Sequence, residues 1–340
     1  MQSLTTPTTP DTRPLRQARR HIGTRSVSAL GMGCWAIGGP FWAGEQPLGW
    51  GEVDDTESIA ALRLAVELGI DFFDTADVYG AGHSERVVGE ALRPFRDQVL
   101  IATKFANTFD EESRQTFTPD VSPEHIRRAC EASLRRLGIE RIDLYQLHWN
   151  DYAAEAIGPV VETLEALVRE GKIAAYGWST DFTDRIAAMK AIGPNCVTVQ
   201  FEHNVLTGNP EMLPTAQRLG ISAAINRGPL GMGLLTGRFS SAQPLAASDL
   251  RSKTPEWLQY FKDGVPVPAL AEKLERIRGL LTADGRTLAQ GALAWLLTES
   301  PLNLPIPGFR TREQVRANVA TLDYPPLPAA AMREIASLLA

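Results

Sequence analysis

The chain has 340 residues, 44% of them hydrophobic, enough for one large α/β barrel or for two smaller domains. A net charge of −6 argues against non-specific nucleic-acid binding, which needs a basic face. The three cysteines (Cys34, Cys130, Cys196) are far apart and form no CxxC pair, so neither a disulfide framework nor a metal site is expected.

Residues 1–20 are rich in Thr, Pro and Arg and lack the apolar core of a secretory signal. Asp11 and the repeated prolines also fit an import leader poorly, so a disordered tail is expected. No apolar run reaches the length needed to cross a membrane, and a soluble, cytoplasmic protein is expected.

From residue 21 to 340 a single folded unit is expected. A hairpin is read at Arg25–Val27 and Ala29–Gly31. Strands and helices then alternate. Ile59–Leu68 has apolar residues at helical spacing, with Gly69 as a stop. Ile70–Phe73 is a short strand ending at Asp74. Ser84 is read as the cap of a helix over Glu85–Leu92. Val99–Thr103 is a buried strand, and a helix opens at Ser122-Pro123 and closes at Gly138.

Strands follow at Asp143–Leu147, Ile173–Trp178, Val197–Phe201, Ile221–Ile225 and Leu304–Ile306. Helices are expected at Pro159–Arg169, Thr183–Ala191, Glu211–Leu219, Leu288–Leu297 and Glu313–Val319. About eight strand–helix units in roughly 300 residues is the rhythm of a single-domain (β/α)8 TIM barrel. A doubly wound sheet is the competing architecture. Residues 228–268, after the seventh strand, are too long for a plain connection and read as a lid or binding loop.

Gly31-Met-Gly33-Cys-Trp-Ala36 matches GxGxxA, with Asp54 and Asp55 about 20 residues on, as in a dinucleotide-binding fingerprint. That motif must open a helix, and Gly38-Gly39-Pro40 would break one at once. A dehydrogenase of that type is therefore disfavoured.

Asp74, Tyr79, Lys104 and His148 lie at or just after the ends of three successive strands. Catalytic groups of a barrel gather there. The four residue types suit carbonyl reduction. A carbonyl oxygen gains negative charge as hydride reaches its carbon, and a donor must protonate it. A phenol is a weak acid, with a pKa near 10. An ammonium beside it favours the phenolate. Lys104 is expected in that role, Asp74 as its partner, His148 as a polarising donor, and Tyr79 as general acid in reduction and general base in oxidation. The other histidines show no metal spacing, and no metal is expected.

These residues lie in DTADVYGAGHSERVVGEAL, TKF and DLYQLHW, which resemble the blocks of the aldo-keto reductases that carry the same four side chains. The resemblance runs from about Arg25 to Leu322. It implies a barrel, a nicotinamide cofactor bound without a Rossmann domain, and a small aldehyde, ketone or keto-sugar substrate. Nucleic acid and membrane are not expected as partners; a homo-oligomer is possible.

The resemblance implies cofactor contacts at several strand ends. Gly33, Cys34 and Trp35 follow the first strand, and Asp74 ends the second. Ser179, Thr180 and Gln200 are expected near the carboxamide, although the family usually has Asn where Thr180 stands. In AINRGPLGMGLLTGRF, Asn226, Arg227, Gly228, Pro229, Leu230, Gly231 and Arg238 are expected to meet the cofactor. Arg227 stands where the family stacks a Tyr on the nicotinamide. Its charge predicts tighter binding of the neutral reduced ring than of the cationic oxidised one. In the last block, Gly308, Arg310, Gln314 and Asn318 are expected at the adenosine end, with Arg310 forking onto a 2′-phosphate. NADP(H) is therefore expected over NAD(H). Trp35, Tyr79, His148 and Trp149 are candidate substrate contacts, with Trp50 as a further aromatic wall. Some relatives with this barrel are channel β-subunits, so a cofactor-binding redox-sensor subunit is the alternative function.

Overall fold

The computed structural model describes residues 13–239, 245, 249–253 and 257–340. Eight strands, numbered here without the flanking hairpins, form one sheet. They are β1 (Met32–Gly33), β2 (Phe72–Asp74), β3 (Leu100–Phe105), β4 (Leu144–Leu147), β5 (Tyr176–Ser179), β6 (Cys196–Asn204), β7 (Ala223–Arg227) and β8 (Asn303–Pro305). Each runs parallel to the next in chain order. β1 and β8 then meet through a bridge between Gly33 and Gly308. Gly31 N donates to Pro305 O at 2.9 Å and Gly33 N to Pro307 O at 3.1 Å. The fold is thus a nearly closed eight-stranded parallel barrel. A Cβ at Gly33 would stand 2.7 Å from Ile306 O, so this seam requires glycine. The doubly wound alternative is excluded by this strand order, and no helix follows Gly31–Ala36.

Helices α1 (Asp55–Glu67), α2 (His83–Leu92), α3 (Pro123–Leu137), α4 (Gly158–Arg169), α5 (Thr183–Ile192), α6 (Met212–Arg218), α7 (Pro268–Leu281), α8 (Leu288–Glu299), α9 (Arg312–Val319) and α10 (Ala329–Leu339) complete the unit. α7 and α10 were not expected from the sequence. Ser84 does not cap α2; Gly82 precedes the helix, and the Ser84 hydroxyl bonds Thr75 Oγ1 at 2.8 Å and Cys34 O at 2.9 Å.

The strands alternate as a barrel wall must. Leu100, Ala102, Leu144, Ala223 and Ile225 face inward and pack with Phe72 and Leu304. Ile101, Phe105, Tyr145, Leu147 and Trp178 face outward into the larger core beneath the helices. The N-terminal hairpin pairs Arg19–Ile22 with Arg25–Ser28, upstream of its expected position. Ile22 and Val27 join the inner cluster and stopper the N-terminal end of the barrel. Leu15 is buried in the outer core, and Arg19–Ile22 pair in the hairpin, so part of the expected tail is ordered against the barrel; residues 1–12 lie outside the described residues. With this end of the barrel filled by the described residues, the C-terminal mouth is where a site is expected. Among the described residues, no helix is long and apolar enough to cross a membrane, and no cluster of His, Cys, Asp and Glu could hold a metal.

Candidate active site

The last inward position of β2 is Asp74, and that of β3 within reach of it is Lys104. Both side chains are buried, and Lys104 Nζ donates to Asp74 Oδ1 at 2.5 Å and to Thr75 O at 2.8 Å. Asp74 Oδ2 accepts from Gln146 Nε2 at 2.9 Å and from Gln200 Nε2 at 2.8 Å. A buried carboxylate is tolerable only with such partners. Burial opposes the Lys104 charge, but Asp74 and Tyr79 outweigh it, and the ammonium titrates above its ordinary value. Gln146 was not expected in the site. It sits two residues before His148, so strand alternation turns both inward.

Tyr79 lies on the loop after β2. Gly80 follows it with φ +62°, and a Cβ there would stand 1.8 Å from Gly38 O. This tight approach seats the loop. Behind it, buried Glu85 accepts from Thr103 Oγ1 and Arg136 Nε, each at 2.6 Å. Lys104 Nζ is 5.1 Å from the centroid of the Tyr79 ring. The His148 ring meets the Tyr79 ring edge-on, 5.9 Å between centroids. Burial pushes the Tyr79 phenol up; Lys104 pulls it down by charge and hydrogen bond, and Asp74 pushes it up again. The net shift is upward, so the lowering expected from Lys104 alone is outweighed by burial. Burial, with the charges of Lys104 and Arg227, holds His148 well below its ordinary value. His148 is therefore neutral at pH 7, with one N–H to donate. Its Nδ1 is buried without a partner.

The mouth is aromatic. Trp35 stands 6.2 Å from Tyr79, 5.3 Å from Trp50 and 6.1 Å from Trp257 by ring centroids. Trp35 Nε1 is anchored on Leu48 O at 3.1 Å. Trp257 comes from the long excursion after β7 and is 47% exposed. Arg251, from the same excursion, spreads its guanidinium over Trp50 and Phe239 at 5.3 and 4.5 Å. Trp149, expected at the substrate, instead packs against Tyr152, with ring centroids 5.0 Å apart, on the outer side of the wall. It follows inward-facing His148, so it must point outward.

Residues 29–340 match the family model described as "Aldo/keto reductase family". The chain belongs to the aldo/keto reductase family. It is 33% identical over 299 residues to aldo-keto reductase YhdN of Bacillus subtilis, covering 86% of this chain and 84% of the relative. It is 32% identical over 336 residues to the NADH-specific methylglyoxal reductase of Escherichia coli, covering 94% and 98%. An aldo/keto reductase from Klebsiella pneumoniae, solved with NADP and acetate, superposes with a TM-score of 0.67 at 26% identity, over 95% of each chain. The protein is thus an oxidoreductase of the aldo-keto reductase type, acting on carbonyl compounds.

A nicotinamide dinucleotide is the cofactor this family implies, and the residues at the mouth fit one unevenly. Ser179 is buried and faces inward, in register with Gln200. Gln200 spends its amide nitrogen on Asp74 and Gln146, leaving its oxygen to accept. Thr180 has its hydroxyl engaged: it donates to Asn150 O at 2.6 Å and accepts from Phe182 N at 3.2 Å, which is a turn role. The Asn226 side chain points outward to Asn303 Oδ1 at 2.9 Å, away from the mouth. Cys34 is wholly buried in the outer core, and burial raises its thiol far above the ordinary value. These three side chains are thus engaged with or buried among protein groups.

Arg227 does face inward. Its guanidinium is paired with Asp181 and lies 3.5 Å from Glu202 Oε2. Two carboxylates beside this guanidinium offset part of its charge, which weakens the physical reason for the expected bias toward the reduced ring. Gly228, Pro229, Leu230 and Gly231 form the turn beyond it, with positive φ at both glycines. Arg238 lies exposed further along the excursion.

At the seam between β8 and β1, Arg310 is exposed and donates from NH1 to Trp50 O at 3.2 Å and from NH2 to Glu52 O. Gln314 Oε1 accepts from Arg310 N at 2.6 Å, and Asn318 Nδ2 donates to Gly308 O at 3.3 Å. Arg310 and Gln314 line a cavity of about 370 Å³ between the starts of α1 and α9.

Proposed function

We propose that this protein transfers hydride from NADPH to the carbonyl carbon of an aldehyde, ketone or keto-sugar, with Tyr79 as proton donor. The observation that carries this reading is the convergence of a phenol, a neutral imidazole and a buried ammonium–carboxylate pair at one end of the barrel. The bound dinucleotide supplies the hydride. The substrate oxygen lies against Tyr79 and His148. The neutral imidazole donates its N–H and polarises the carbonyl without carrying charge of its own. The Tyr79 hydroxyl gives its proton to the nascent alkoxide. Lys104 meets the phenolate that remains, and Asp74 keeps Lys104 charged and aimed. In oxidation the phenolate takes the proton back. Ser179 and the Gln200 oxygen hold the carboxamide, and the turn from Gly228 to Gly231 borders the phosphates. Arg310 and Gln314 take the adenosine end, with Arg310 favouring a 2′-phosphate. The aromatic mouth of Trp35, Trp50 and Trp257 favours compact, partly apolar carbonyls. All three cysteines are free and buried, which suits the cytoplasm.

The test is dinucleotide oxidation at 340 nm against a panel of aldehydes, ketones and keto-sugars, beside direct NADPH titration. Turnover with at least one carbonyl class supports the proposal. Tight NADPH binding with no turnover on any of them supports a redox-sensing subunit instead.

A further inference from the structure

The cavity at the adenosine end carries charges of both signs. Glu57, in the first turn of α1, reaches across to α9. Its Oε1 accepts from the backbone N of Arg312 at 2.7 Å, and its Oε2 lies 3.0 Å from both Arg312 Nε and NH2. Asp54 stands on the same wall, held there by Thr56 N at 2.9 Å. Opposite them are Arg310, Thr311 and Gln314.

A ribose carrying a 2′-phosphate and one carrying a 2′-hydroxyl meet this wall differently. The phosphate brings up to two negative charges. It gains Arg310, but faces Asp54 and Glu57, and the Arg312 amide it would use already donates to Glu57. The hydroxyl carries no charge and can donate to a carboxylate. Glu57 therefore opposes what Arg310 favours.

We infer that Glu57 is a cofactor-specificity residue, which weakens NADPH relative to NADH and lets the enzyme use both. This rests on the reading that the adenosine end of the cofactor lies at the start of α9. Arg312 is 58% exposed and Glu57 25%, so the contact is partly solvated and its effect is screened by salt.

Dissociation constants for NADPH and NADH, read from quenching of tryptophan fluorescence at low salt, test this in three proteins. Glu57→Gln keeps an oxygen to accept from Arg312 N but removes the charge. It is expected to raise the preference for NADPH over NADH by about fivefold, the size of one partly exposed charge contact. Glu57→Asp keeps the charge and is expected to stay near the wild-type ratio. An unchanged ratio in Glu57→Gln, with both cofactors still bound, overturns the inference and leaves the proposed function standing. Failure of the wild type to bind either dinucleotide overturns both.

Discussion

The two ends of the mouth are built on different terms. At the end that holds Tyr79 and His148, Asp74 and Lys104 are buried, and the Asp74 carboxylate is bonded from the barrel wall by Lys104 on β3, Gln146 on β4 and Gln200 on β6. At the seam between β8 and β1, Arg310, Arg312 and Glu57 come from helix starts and loops, bond backbone groups and one another, and lie partly or fully exposed. A low-dielectric network amplifies each charge and fixes its geometry. A solvated one is screened and tolerant of exchange. On the proposed function, the reaction chemistry belongs to the rigid end and cofactor choice to the adjustable one.

Substitutions should divide the two ends by magnitude. Lys104→Met should cost most. It leaves Asp74 buried without its cation, which destabilises by about 3–5 kcal/mol, and it removes the charge that meets the phenolate. A fall in kcat of about 10³-fold, with a lower Tm, is expected; an unaltered Tm would show that the pair is not a structural support.

Gln146→Leu tests the residue that sequence reading passed over. Losing one hydrogen bond to a buried carboxylate should cost about 1.5–3 kcal/mol of stability. Because Gln146 positions Asp74 without touching substrate, kcat should fall with KM nearly constant. A rise in KM alone would contradict that role.

The pH profile is a finer cut. His148 is neutral in the fold and titrates well below its ordinary value, near 6.5. Below about 6.5 the unfolded chain binds a proton that the fold does not, so stability falls as pH drops further. Thermal melts between pH 7.5 and 5 should show this loss, and His148→Gln should abolish its His148 share. Tyr79 titrates above its ordinary value. The reductive rate should therefore stay flat through neutrality and decline only in alkali, while the oxidative rate climbs with pH. A reductive decline centred near pH 7 would place the proton donor elsewhere.

Arg310→Ala marks the small end of the scale. Its guanidinium is exposed, so NADPH affinity should fall by no more than about tenfold with kcat unchanged, as titration would show.

Much of the site was legible because charged groups interrupt apolar strands. Asp74, Lys104 and His148 each end such a run, and a barrel brings strand ends together. Neighbours in sequence were harder, because alternation sends them to opposite faces. Cys34, Trp149 and Asn226 each sit one residue from an inward position and so point outward. Gln146 was missed for the converse reason: an amide inside an apolar strand gives no signal until its spacing from His148 is counted. Trp257 and Arg251 belong to the excursion after β7, where no periodicity links residue to place. Helix α7, in PALAEKLERIRGLL, has helical spacing and a proline at its start, but lies beside that excursion and is not among the expected helices. The carboxylates that pair with Arg227 and Arg312 are distant in sequence, and only the closed barrel reveals them.

The most direct measurement is single-turnover hydride transfer in Tyr79→Phe, with NADPH affinity measured in the same protein. Tyr79 is the only phenol at the convergence of Lys104 and His148 among the described residues, and its removal leaves the buried pair intact. The account predicts a fall in the transfer rate of about 10²–10⁴-fold, with NADPH binding unchanged. Transfer at the wild-type rate would contradict the assignment of Tyr79 as proton donor.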